Sequence, residues 1–76
     1  MKDLVEFIAK SLVDDAEAVV ATSYDRGDQT IIELEVAPND LGKVIGRQGR
    51  TARALRTLLA AAGQKSRRRT QLDILD

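Results

Sequence analysis

The chain has 76 residues, and one modest core is the most it can build, since a chain this short buries only about 60% of its unfolded surface. It contains no Cys and no His, which excludes disulfide staples, thiolate or imidazole metal sites and the commonest catalytic base. Its 12 basic and 12 acidic residues cancel, yet residues 1–42 hold ten acids against Lys2, Lys10 and Arg26, while residues 43–69 hold nine bases and no acid; that asymmetry points to a basic surface for an anionic partner, the alternative being two halves that attract each other.

The first segment predicts a helix over about residues 3–13. Asp3 fits an N-cap with Glu6 as the reciprocal residue of a capping box. Leu4, Ile8 and Leu12 recur at helical spacing, with Val5 and Phe7 beside them, and Phe7 reads as core. Glu6 and Lys10 interrupt this apolar stretch, which is far too short to cross a bilayer. A soluble cytoplasmic protein with no membrane partner is therefore expected. Asp14-Asp15 opposes the helix dipole and marks a stop.

Residues 18–24 are small and β-branched, and Asp25-Arg26-Gly27-Asp28 is a turn signal. Residues 30–37 alternate cleanly, with Ile32, Leu34 and Val36 on one side and Ile31, Glu33 and Glu35 on the other. Two strands joined by a short loop read as an antiparallel hairpin with one solvated face. Pro38 ends the second strand, and Asn39 or Asp40 can cap a short helix to about Ile45.

Next comes the turn Gly46-Arg47-Gln48-Gly49, followed by strong helix formers over about residues 50–62. Ala52, Leu55, Leu59 and Ala62 make an apolar stripe widened by Leu58, a candidate dimer contact, while Arg50, Arg53 and Arg56 drift along its flank. Gly63 reads as a C-cap, residues 64–69 as a basic loop, and residues 70–75 as a last strand with Leu72 and Ile74 inward. The order α-β-β-α-α-β gives one α+β domain over 1–76, a three-stranded sheet packed against three helices in two layers.

The glycine turn carries the functional reading. A helix starting near Gly49 leaves free N–H groups whose partial positive charge attracts phosphate. Without a Cβ at Gly46 and Gly49, a sugar-phosphate backbone can lie against the turn. Arg47 and Gln48 add donors, with Lys43, Arg50 and Arg53 close by, and Val44 and Ile45 can floor a groove for unstacked bases. That combination suits a single strand better than a duplex. A plain helix–helix corner, in which glycine only permits the bend, is the alternative.

The run Gly42-Lys43-Val44-Ile45-Gly46-Arg47-Gln48-Gly49-Arg50 resembles the KH-domain signature Val-Ile-Gly-x-x-Gly, a loop that clamps four backbone nucleotides. With a helix and a strand ahead of the motif, the order is similar to the type II KH fold. The whole chain resembles the small stand-alone bacterial KH-domain RNA-binding proteins of the KhpA type. The resemblance implies single-stranded RNA binding over Gly46-Arg47-Gln48-Gly49. It also implies self-association or pairing with a larger KH-containing RNA-binding protein, and an RNA-level, chaperone-like role in cell elongation, shape and division. Where the signature often has a large aliphatic residue three positions after the second glycine, this chain has Ala52. The groove is then shallower, or Leu55 does the packing.

Phe7 and Tyr24 are the only aromatic residues, so base contacts should be aliphatic and hydrogen-bonded, with Arg planes as stackers. Arg67, Arg68 and Arg69 form either a second phosphate-contacting patch or a solvated basic loop. No nucleotide-binding P-loop is present. Lacking the usual nucleophile–base pair, the chain reads as a non-enzyme without cofactor or metal, its paired Asp residues serving turns and caps. A protein-interaction module with secondary or partner-supplied RNA contact is the second reading.

Overall fold

The computed structural model describes residues 1–75, with Lys65 and Ser66 as backbone only. Three helices, α1 (Lys2–Leu12), α2 (Leu41–Ile45) and α3 (Arg50–Ser66), and three strands, β1 (Val20–Arg26), β2 (Gln29–Glu35) and β3 (Arg69–Ile74), follow in the expected order. The sheet runs β1-β2-β3, antiparallel between the first pair and parallel between the second. A parallel pair needs a crossover, and α2 with α3 supplies it. No helix among the described residues is long and apolar enough to cross a membrane.

The hairpin turns on two residues, Gly27 and Asp28, with Gly27 at φ 61° and Arg26 paired to Gln29. The register sets Ala21 opposite Leu34, Ile32 beside Leu72 and Leu34 beside Ile74. Those inward residues join Val5, Ala9, Val44, Leu55 and Leu59 in one cluster between the sheet and the helices. Ile31, expected on a solvated face, is only 2% exposed. It sits on the middle strand with Tyr24 on one side and Gln71 on the other, so its neighbours cover it.

α1 departs from expectation in two ways. It starts at Lys2, and the Met1 carbonyl accepts the N–H groups of Leu4 and Val5. Asp3 is thereby helical and cannot cap, and Glu6 instead turns forward to Lys10 at 2.9 Å, the favourable i,i+4 order. The buried line is Val5 and Ala9, with Ile8 partly buried, rather than Leu4, Ile8 and Leu12. The two lines lie about 100° apart on the helix, and the small Ala9 lets the backbone approach the sheet. Phe7, expected in the core, is 69% exposed.

The end of α3 also differs. Gly63 does not cap it; the helix continues to Ser66, and the left-handed residue is Arg67 at φ 59°. Gly63 is needed because the chain returns across it. A Cβ there would lie 2.5 Å from the Arg68 carbonyl oxygen and 2.9 Å from Thr70 Oγ1. The expected basic loop of residues 64–69 shrinks to two residues between α3 and β3.

Candidate nucleic-acid interface

Five residues make up α2, too few to hold themselves as a helix in water. Tertiary contacts hold it. Val44 is fully buried in the core, so it anchors the approach to the turn and does not reach a ligand. Asp40, read as a helix cap, makes no cap bond. It is buried, and its carboxylate accepts the backbone N–H groups of Asp14 (3.3 Å) and Asp15 (3.1 Å), tying the exit of α1 to the start of α2. The Asp15 N–H, then that of Asp14 and the Lys43 ammonium, hold this carboxyl below the usual aspartate range against the opposing effect of burial. Lys43 donates to Asp14 and lies 3.4 Å from Asp40, and the Asp14 bond raises its ammonium pKa. Lys43 is thus committed to two acids at the back of α2.

The turn itself is a run of unusual backbone. Gly46 sits at φ 78°, ψ 170°, a region open essentially to glycine alone. A Cβ there would meet Thr51 Oγ1 at 2.2 Å, so the turn is pressed against the first turn of α3. Gln48 (φ 57°, ψ 27°) and Gly49 (φ 73°, ψ 14°) are both left-handed. Nothing lies within 4 Å of the Cβ position of Gly49, leaving that surface open to an approaching backbone. No side chain caps α3; the N–H groups of Gly49 and Arg50 donate to the Gly46 and Arg47 carbonyls, so anion attraction at this end rests on the helix dipole and the arginines around it. Arg47 and Gln48 are exposed, and Arg50 bridges to the Gln48 side-chain oxygen at 3.4 Å.

Beside the turn runs a groove of about 500 Å³ lined by Ile45, Gly49, Ala52, Arg53, Arg56 and Ile74. Ile45 and Ala52 give it an apolar wall on the helical side and Ile74 one on the β3 side. Arg53 and Arg56 supply charge, and no lining residue is acidic. Leu55 is buried in the core and does not line the groove, so the small Ala52 forms this wall.

The site thus gathers Ile45, Gly46, Arg47, Gln48, Gly49, Arg50 and Arg53 on one surface, and leaves Val44 beneath it and Lys43 behind it. Arg67–Arg69 lie at the other end of α3. There Arg68 is bound to Thr30 Oγ1 (2.9 Å), the Gln29 carbonyl (2.8 Å) and Asp25 (3.3 Å). Sequence reasoning did not place Arg56 in the groove, although it continues the three-residue spacing of Arg50 and Arg53. The Asp40 tie left no sequence signal, because its partners lie 25 and 26 residues away.

A family model described as the KhpA/KhpB KH domain matches residues 2–74. Among curated proteins, the chain is 54% identical to the RNA-binding protein KhpA of Halalkalibacterium halodurans, with both chains covered in full. It is 53% identical to that of Borreliella burgdorferi, over 97% of this chain and 90% of the relative. For that of Aquifex aeolicus the identity is 51%, over 100% and 96%. No solved structure matches the chain.

Proposed function

This chain belongs to the KhpA/KhpB KH-domain family, and we propose that it is a non-catalytic, cytoplasmic module that binds single-stranded RNA as one KH unit. The carrying observation is the juxtaposition of an uncapped helix start, an open Gly49 surface and an acid-free groove. Phosphates lie over Gly46-Arg47-Gln48-Gly49, neutralised by Arg47, Arg50 and Arg53. Bases enter the groove between Ile45, Ala52 and Ile74. Relatives named as RNA-binding proteins support this reading, and the resemblance extends it to RNA-level control of cell elongation and division. Changing Arg47 and Gln48 together to Asp reverses charge at the turn without touching the core. In fluorescence anisotropy with short RNA, binding falls at least 100-fold while circular dichroism stays native. Undiminished binding by that variant would sink the assignment. With two to four phosphates neutralised, the log–log salt slope is roughly −1.5 to −3.

A second reading, assembly with a copy of itself or a larger KH-containing protein, is favoured by apolar side chains left on the helices. Phe7 is 69%, Leu58 51% and Leu4 43% exposed. Sedimentation at rising concentration, with and without RNA, separates the two. A dimer lost in Phe7→Ser or Leu58→Ser, with no RNA affinity at low salt, selects the second.

A further inference from the structure

The groove beside the turn does not stop at Arg56. A second groove, about 490 Å³, continues along the seam of α3 and β3 and is lined by Arg56, Ala60, Gln64, Arg69, Gln71 and Leu72 among others. Arg56 belongs to both. Its Nε donates to the Leu72 carbonyl at 3.4 Å, which holds the guanidinium across the seam where the two grooves meet. We propose that this second groove is a further RNA subsite, taking the continuation of the strand gripped at the glycine turn; the proposal rests on the RNA-binding reading above.

The chemistry of the lining selects the occupant. Gln64 on α3 presents an amide, which both donates and accepts and so suits exposed base edges, while Gln71 on β3 lines the groove with its amide donating to Asp73 Oδ1 at 3.0 Å. Arg69 is exposed at the start of β3 and supplies the phosphate-neutralising charge. Arg68 lines the same groove, but Asp25, Thr30 and Gln29 hold its guanidinium, so it shapes the wall and adds little attraction. From Gly49 to Gln64 the chain rises about 22 Å at 1.5 Å per residue, longer than a clamp at the turn alone requires. A KH loop clamps four nucleotides, so occupation of the far groove means a longer footprint. Arg56, at the junction, governs passage from one subsite to the other.

Oligouridines of four to ten nucleotides test this by anisotropy at several salt concentrations. The salt slope is the decisive readout, because extra binding registers raise affinity but leave the slope unchanged. For wild-type protein the octamer slope is steeper than the tetramer slope by about 0.7 per added phosphate contact, or 0.7 to 1.4 in all. The double variant Gln64→Glu, Arg69→Glu keeps tetramer affinity within about twofold, and its octamer slope returns to the tetramer value. Mapping wild-type protein cross-linked to 4-thiouridine at each octamer position needs no variant. Cross-links should pass from Ala52 and Arg53 at one end to Gln64 and Gln71 at the other. Equal slopes with cross-links confined to the turn overturn the second subsite while leaving the first intact. A far groove covered instead by a second copy of the chain overturns it as well. Failure to bind the tetramer at any salt concentration overturns the RNA-binding reading, and the subsite with it.

Discussion

α3 is flanked by left-handed residues at both ends, Gly49 and Arg67, and the two ends differ in how far the fold itself engages their charge and their space. At its start the space above Gly49 is open, and Arg47, Arg50 and Arg53 are exposed. At its finish the chain turns back so closely that Gly63 has no room for a methyl group, and Arg68 is tied to β2 and the end of β1. Equal local basicity therefore does different work. Cations with no acid in reach remain available to a ligand, while cations facing carbonyls and carboxylates hold the fold together. A charge map along the sequence cannot separate the two, because the partners of Arg68 come from residues 25–30.

Three substitutions at glycine test this contrast, with the largest effect first. Gly46→Ala forces a Cβ into Thr51 from a glycine-only conformation and lowers stability by about 3 kcal/mol or more in urea unfolding. Gly63→Ala gains helix propensity but presses on the Arg68 carbonyl, for a net loss of about 2 kcal/mol, while tetranucleotide affinity per folded molecule is unchanged. Gly49→Ala meets no neighbour and loses only about 1 kcal/mol through its positive φ, yet weakens RNA binding about tenfold by filling the open surface. If Gly63→Ala and Gly49→Ala affected binding alike, the two ends would not differ as described.

Arg68→Gln sharpens the comparison from the other side. It removes hydrogen bonds to Thr30 and Gln29 and lowers stability by about 1 kcal/mol, with tetranucleotide affinity kept within about twofold. A drop in RNA affinity as large as that of an Arg53→Gln variant would place Arg68 in the binding surface.

The smallest effect is the pH dependence of the tie behind α2. The Asp40 carboxyl is held below its ordinary range, first by the Asp15 N–H. As pH falls, the unfolded chain therefore takes up this proton before the folded one. The contribution is complete above about pH 4 and is lost as pH falls through the depressed value. The pKa of Lys43 is shifted upward, so its contribution is complete at neutral pH and lost only above the ordinary lysine range. Asp40→Asn should unfold with a shallower slope below about pH 4 than wild type, as followed by circular dichroism. Parallel acid titrations would rule out Asp40 as a source of this slope.

Element order, the sheet's inward residues and the helix–turn–helix around Gly46 were legible because each rests on local signals: alternation at period two, helical spacing and glycine at a turn. What escaped reading depended on contacts made across the chain. Asp40 looked like a cap because caps are local, but its partners are the backbone of Asp14 and Asp15. Gly63 looked like a helix end because glycine usually stops a helix, whereas here the returning strand requires it. Phe7 looked buried because large apolar residues usually are, and only the rotation of α1 onto Val5 and Ala9 exposed it. In the site, the turn and its nearest arginines were readable. The β3 wall of the groove, Ile74, depends on which strand the crossover brings beside α3.

That crossover has a consequence for the order in which the molecule matures. β3 follows both α2 and α3 in sequence, and it pairs in parallel with β2 across both intervening helices. The β1–β2 hairpin can close early on local contacts, but pairing Ile32 with Leu72 must await the whole helical crossover, the kind of long-range closure that slows folding. Ile74 belongs to this same late strand and walls the groove beside the glycine turn. The turn is thus built from residues adjacent in sequence, whereas the groove proposed for bases is complete only when β3 docks.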